Sequence, residues 1–170
     1  GRVSCSGRGH GQPPHSGHHA VDGGRGGRLS TLPVATIRGK HGNFIEHFRP
    51  GQVFRHRRGK TLTEGLFAVL TDFSFTTNPL SKNARFARAY GYKGLLAPPG
   101  LVMNIVFSQS VEDVSENGRA NLEYIDMRFG VSVHVGDTIE AESLVLGVRG
   151  SSKEPDRGVV HVQTTGRNQD

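Results

Sequence analysis

The densest apolar stretch of the chain runs from Ala97 to Val111, APPGLVMNIVFSQSV. Its apolar members are Leu101, Val102, Met103, Ile105, Val106, Phe107 and Val111. Wound as a helix, they fall almost all round the axis rather than on one stripe, the pattern of a helix buried on every side. Pro98 and Pro99 suit its first turn, where the amides have no intrahelical partner to lose. The stretch is shorter than the roughly 20 apolar residues that cross a bilayer. It is therefore predicted to be a central helix that other parts of the chain must wrap.

Downstream, the pattern changes to alternation. Ala120, Leu122 and Tyr124 share one phase, while Ile125, Met127 and Phe129 share the other. A phase change within a strand marks a bulge or bend. After a Gly136-Asp137 turn, Ile139, Ala141, Ser143 and Val145 form an inward row. A loop over 150–157 leads to a strand over Val159 to Thr165. These features predict an α+β fold, with a curved antiparallel sheet around one helix.

Upstream, order is expected to begin near Gly42. Pro50-Gly51 is a turn, and Val53 to His56 reads as a short strand. Thr61-Leu62-Thr63-Glu64 fits a capping box, with Thr63 an equal candidate for the N-cap. Leu66, Val69, Leu70 and Phe73 then give an amphipathic helix with one apolar face. A break centred on Asn78-Pro79 follows. Ser81 can cap a second short helix over Lys82 to Tyr90 that buries Ala84, Phe86, Ala87 and Tyr90.

Charge separates the two ends. Up to His41 there are six bases (Arg2, Arg8, Arg25, Arg28, Arg38, Lys40) and one acid, Asp22, which gives +5 of the whole-chain +6. The remainder is nearly neutral, which argues against nucleic acid as its partner. Residues 1–41 are dominated by Gly, Arg, His and Ser, with little to bury, and read as a disordered extension. His10, His15, His18 and His19 can also be read as a metal-binding tract, but a flexible extension explains them without a metal. The working division is a tail over 1–41 and one domain over 42–170. Cys5 is the sole cysteine, so no intrachain disulfide is possible, which fits a reducing compartment. No stretch has the length of a transmembrane helix and the N-terminus lacks a secretory core, so a cytoplasmic protein is expected. No zinc spacing, Gly-rich nucleotide loop or Ser–His–Asp arrangement stands out.

The segments GNFIEHFRPGQVF, GKTLTEG, TTNPLSKN, APPGLVMNIVFSQSVEDVSENGRANLEY and VHVGDTIEAESLVLGVR together resemble the MaoC-like hydratase/dehydratase family. They are most similar to its mesaconyl-CoA hydratase, or β-methylmalyl-CoA dehydratase, branch. The resemblance covers about Gly42 to Asp170. It implies a hot-dog fold, pairing with a like or different hot-dog subunit, and reversible addition of water to an enoyl-CoA thioester. CoA would enter as part of the substrate, with no separate cofactor or metal. The family has a further strand beyond the point where this sequence stops, so a free sheet edge and a less stable domain are expected.

The family signature is D-x-N-P-[IL]-H. This chain reads Thr76-Thr77-Asn78-Pro79-Leu80-Ser81. Asn78, Pro79 and Leu80 are kept, while Thr76 and Ser81 replace the Asp and His. The resemblance implies site positions Thr76, Asn78 and Ser81, with the Gly100 N–H at the helix start facing the thioester oxygen. Neither Thr nor Ser titrates near neutrality, so neither can perform the usual proton transfers unaided. His47, His56, His134, Glu64 and Asp126 are other titratable groups. Arg119 and Arg128 are candidates for the CoA phosphates, although exposed strand arginines are common. Each site position also has a structural reading: Ser81 as an N-cap, Asn78-Pro79 as a turn, and Gly100 as a close-packing residue. The competing functions are an acyl-CoA hydro-lyase and a non-catalytic hot-dog module that binds acyl thioesters or completes a heteromeric hydratase.

Overall fold

The computed structural model describes residues 3–6, 42–154 and 156–170. Its sheet runs in the order β2 (Val53–Arg55), β5 (Thr138–Gly150), β6 (Gly158–Arg167), β1 (Val3–Ser6) and β4 (Ile125–Phe129). A short β3 (Lys60–Thr61) also pairs with β5, and every strand pairing is antiparallel. The helices are α1 (Glu64–Phe73), α2 (Pro79–Lys82), α3 (Ala84–Ala89) and α4 (Pro99–Ser110), and a π turn (Val111–Ser115) continues α4.

The long strand β5 follows the alternation in its sequence. Ile139, Ala141, Ser143 and Val145 are all buried, as the inward row predicts. Helix α4 packs against β5 and β6, and buries Leu101, Val102, Ile105 and Val106. These residues join Leu62, Phe67, Ala97, Val133, Ile139 and Ala141 in one core. Burying such side chains contributes ~1.5–3 kcal/mol each, enough to hold the helix inside the sheet's curve. A second cluster of Phe48, Phe54 and Val145 lies further along the sheet.

Four details differ from the pattern's expectation. Asn104 and Ser108 are exposed, and Met103 and Phe107 are half-buried, so α4 keeps one flank towards solvent. On α1 the buried pair is Phe67 and Thr71, whereas Val69 and Phe73 are exposed. Thr71 can turn inward because its hydroxyl donates to the Phe67 carbonyl at 2.8 Å, satisfying the polar atom locally. On α3 only Ala87 is buried, while Ala84 and Phe86 are half-buried and Tyr90 lies exposed beyond the helix, its ring stacked on Phe86. The fourth detail concerns the sheet edge. The place beside β6 that was expected to stand empty is taken along part of its length by β1, whose Val3 aligns with Gly166 and Ser6 with Gln163.

That pairing puts four residues of the low-complexity N-terminal segment into the sheet. The remaining residues of that segment lie outside those described, and the histidine tract with them. The phase change expected after Tyr124 does coincide with an irregularity. The β1–β4 register shifts between Ser4 and Ser6, and Asp126 on β4 has φ of 52°. Residues 120–124 precede β4 rather than belonging to it.

Candidate functional site

The break at Asn78-Pro79 is built from local capping. Asn78 caps α2, its side-chain oxygen accepting from the Leu80 N–H, and Pro79 takes the first helical position. Asn83 caps α3 in the same way, accepting from Phe86 N–H at 3.0 Å. Thr63 caps α1. Ser81 is therefore not the cap of the second helix. It lies inside α2, buried, and its hydroxyl donates to the Leu96 carbonyl at 2.6 Å.

That bond ties the corner to the start of the central helix. The Leu96 N–H returns to the Leu80 carbonyl at 3.0 Å, and Ala97 N–H donates to Val133 O at 2.8 Å. Leu96 stands only two residues before Pro98, the N-cap of α4. The structure thus brings Asn78, Ser81 and the leading end of α4 into one corner. Thr76 sits just upstream, half-buried, with its hydroxyl 2.9 Å from that of Ser74.

At the helix start, Pro98 and Pro99 have no amide hydrogen, and the Leu101 and Val102 amides turn back to the Pro98 carbonyl at 3.0 and 3.2 Å. The Gly100 N–H has no partner among the described residues. Gly100 is exposed, and a Cβ built on it meets no atom within 4 Å. This excludes the close-packing reading of Gly100. A free amide at a helix N-terminus can stabilise developing negative charge.

Neighbouring polar groups are fixed in place. Asp137 accepts from the His134 N–H at 2.9 Å, and from Gln169, Asn168 and Lys93 side chains. Burial alone would push its carboxyl up, but these four donors outweigh burial and hold it below the usual range. Lys93 is held above its ordinary value by hydrogen bonds from its ammonium to Asp170 and Asp137. His134 is buried, with Nδ1 3.1 Å from the Leu95 carbonyl and its ring against Tyr92. It serves the loop that leads to α4.

At the trailing end of α4 lies a second polar assembly that the sequence did not announce as one. His56 is fully buried, with Nδ1 2.8 Å from Asp113 Oδ2 and Nε2 2.8 Å from Ser143 Oγ. Ser143 in turn lies 2.7 Å from the Thr164 hydroxyl. With Nδ1 protonated towards the carboxylate, the chain runs consistently from Thr164 through Ser143 and His56 to Asp113. The order resembles a catalytic triad, yet Ser143 is 0% exposed, so no substrate reaches its oxygen. Two signals pointed here: a serine within an inward apolar row, and an acid three residues after Ser110 on the same buried helix face. Asp113 reaches His56 from within the π turn, whose wider winding is frequent at functional sites.

Beside this assembly is a cavity of about 550 Å³, with Val106, Phe107, Ser110, Val162 and Thr164 in its wall. It lies at the opposite end of α4 from Gly100. Of the other candidates, Arg119 lies on that cavity's wall, while Arg128 is exposed on β4. His47 accepts from the Phe44 N–H in a surface turn, and Glu64 occupies the first turn of α1. Among the described residues no group of three or more His, Cys, Asp or Glu is placed to hold a metal, and no helix is long and apolar enough to cross a membrane.

Comparisons with known proteins agree with this layout. A family model described as mesaconyl-CoA hydratase matches residues 29–170. A β-methylmalyl-CoA dehydratase of Chloroflexus aurantiacus is 40% identical over 128 residues, covering 75% of this chain and 36% of that protein. A mesaconyl-CoA hydratase of Cereibacter sphaeroides is 35% identical, covering 75% of this chain and 37% of its own. The chain therefore spans little more than a third of these two relatives. Among solved structures, a MaoC domain protein dehydratase from Chloroflexus aurantiacus superposes with a TM-score of 0.66 at 31% identity, covering 79% of this chain and 43% of the other. A Mycobacterium tuberculosis protein with a double hot-dog fold gives a TM-score of 0.64 at 28% identity, covering 74% and 44%.

Proposed function

Because this chain belongs to the mesaconyl-CoA hydratase family and has its sheet-around-helix fold, we propose that it is a hot-dog unit of an enzyme that hydrates or dehydrates a short enoyl-CoA thioester. The substrate would be a mesaconyl-CoA-like branched dicarboxylic acyl group. In the hydration direction the oxygen of water bonds to C3 and a proton is delivered to C2. Electron density passes through the thioester carbonyl, whose oxygen must be stabilised as it gains charge. The observation that carries the proposal is the exposed helix start beside the Asn78-Pro79 corner, where the Gly100 amide has no partner among the described residues. CoA is part of the substrate and no separate cofactor is invoked.

The proton transfers need groups other than the two signature positions. Ser81's hydroxyl is committed to the Leu96 carbonyl, and Thr76's is shared with Ser74. This favours a second reading, in which the unit binds the acyl thioester and a companion hot-dog unit, of the same or another chain, carries the acid and base. Incubating the 170-residue chain with mesaconyl-CoA and crotonyl-CoA, followed by mass spectrometry for the gain of one water, separates the two. Turnover by the chain alone supports a self-sufficient enzyme. Tight binding of the thioester without turnover supports the second reading, and neither binding nor turnover over a range of pH overturns both.

A further inference from the structure

The cavity at the trailing end of α4 is distinct from the acyl-thioester corner, and its chemistry points elsewhere. Its floor is apolar, with Val106, Val160 and Val162 prominent. Exposed aromatic surface stands at its wall: Phe44 is 51% and Tyr124 43% solvent-accessible, and Tyr124 packs edge-on against Phe107. Four acids lie around it, Glu46, Glu123, Glu154 and Asp156, against two bases, Arg119 and Arg157. Arg157 is occupied, paired with Glu154 and within 4.0 Å of Asp156. The side chains of Glu46 and Glu123 have no cationic partner among the described residues, and Arg119 has no acidic one. Among the described residues the rim therefore carries a net negative charge, which disfavours the polyanionic head of a CoA ester.

We infer that this cavity is a binding site for a small hydrophobic cation, an ammonium group on an apolar or aromatic body. The apolar part would fill the floor between α4 and β6. The cationic head would rest at the rim, against the faces of Phe44 and Tyr124 and within the field of Glu46 and Glu123. Aromatic faces attract cations through their quadrupole, by ~0.5–2 kcal/mol per contact. Partly exposed acids add a salt-sensitive increment. A cavity of about 550 Å³ is within the range of small-molecule sites and accommodates such a ligand with room to spare. The inference is independent of the acyl-thioester reading and stands if that reading fails.

The test titrates benzyltrimethylammonium into the full chain and compares it with 3-phenylpropionate and 3-phenyl-1-propanol, matched anionic and neutral bodies. Binding is read from tyrosine fluorescence and from nuclear magnetic resonance shifts of Val160, Val162 and Tyr124. The cation is expected to bind about tenfold more tightly than the anion and to weaken as salt is raised. The Glu46→Gln/Glu123→Gln pair, both on the exposed rim, should lose most of that preference while leaving the fold intact. Ala120→Trp, on the exposed loop at the rim, should crowd the cavity and weaken all three probes. Preference for the anion, shifts confined to other residues, or no binding of any probe would each overturn the proposal.

Discussion

Val106 of α4 lies so close to Gly166 of β6 that a Cβ built on the glycine would come within 2.2 Å of a valine methyl. The central helix is pressed onto the sheet at a point where the sheet has no side chain. Gly166→Ala is expected to cost ~1–3 kcal/mol through overpacking. Combining it with Val106→Ala should recover part of that loss, because the clash disappears even though a small cavity is left. Urea unfolding of the two single variants and the double variant measures this, and strictly additive losses would contradict the contact.

Gly100 behaves in the opposite way, because its missing side chain faces open space. Gly100→Ala is expected to leave stability unchanged or raise it by up to ~1 kcal/mol, since alanine is the better helix former. Gly100→Leu should fold equally well but obstruct the approach of a thioester to the amide. Affinity for crotonyl-CoA should fall about tenfold in that variant, a loss of ~1.4 kcal/mol. Unchanged affinity in Gly100→Leu would remove the helix start from the binding site.

Ser81 is expected to act through the backbone and not through protons. Ser81→Ala leaves the Leu96 carbonyl without its side-chain donor, at a cost of ~1–2 kcal/mol. The shape of any pH–rate profile should be preserved, with the melting temperature falling by several degrees. A profile that loses one limb in Ser81→Ala would instead give the hydroxyl a direct part in proton transfer.

Asp137 should make stability depend on acid pH. Its folded-state pKa is depressed by the donors from His134, Gln169, Lys93 and Asn168. A depressed carboxyl contributes stability that is fully present above its unfolded value of about 3.9 and is lost as pH falls through the lower folded value. Asp137→Asn should therefore be less stable than the parent by ~1–3 kcal/mol at neutral pH. The gap should narrow steadily below about pH 4. Chemical unfolding at a series of pH values checks this, and a gap that stays constant down to acid pH would contradict a depressed Asp137 carboxyl.

The buried pair of His56 and Asp113 should be costly to break singly. His56→Phe leaves a carboxylate with 5% side-chain exposure facing no partner. A loss of ~3–5 kcal/mol is expected. The His56→Phe/Asp113→Leu double variant should be more stable than the His56→Phe single, as unfolding midpoints will record.

The sequence disclosed the architecture through its periods. The apolar run at Leu101–Phe107 and the alternation at Ile139–Val145 each follow one dominant force, so the pattern alone places the helix and the strand. It was less informative on α1, where Phe67 and Thr71 turn inward instead of Val69 and Phe73. There a threonine that bonds its own helix backbone counts as apolar, which no hydropathy pattern records. The corner at Asn78-Pro79 was legible as a break, but its caps were not: Asn78 and Asn83 take the part expected of Ser81, whose hydroxyl has its partner 15 residues away. The network of His56, Asp113, Ser143 and Thr164 joins residues 21 to 87 positions apart. Long-range hydrogen bonds leave no periodic trace, and only their polar members at inward positions hint at them.

The π turn at Val111–Ser115 has a consequence for the tolerance of this region to change. Its wider winding sets the azimuth of everything that follows, including the acid that reaches His56. Replacing exposed Glu112 preserves that azimuth. Deleting Val111 or Glu112 would turn Asp113 around the rod, away from the imidazole. In this segment residue count is under tighter constraint than residue identity, so gaps should be rarer than substitutions among functional variants.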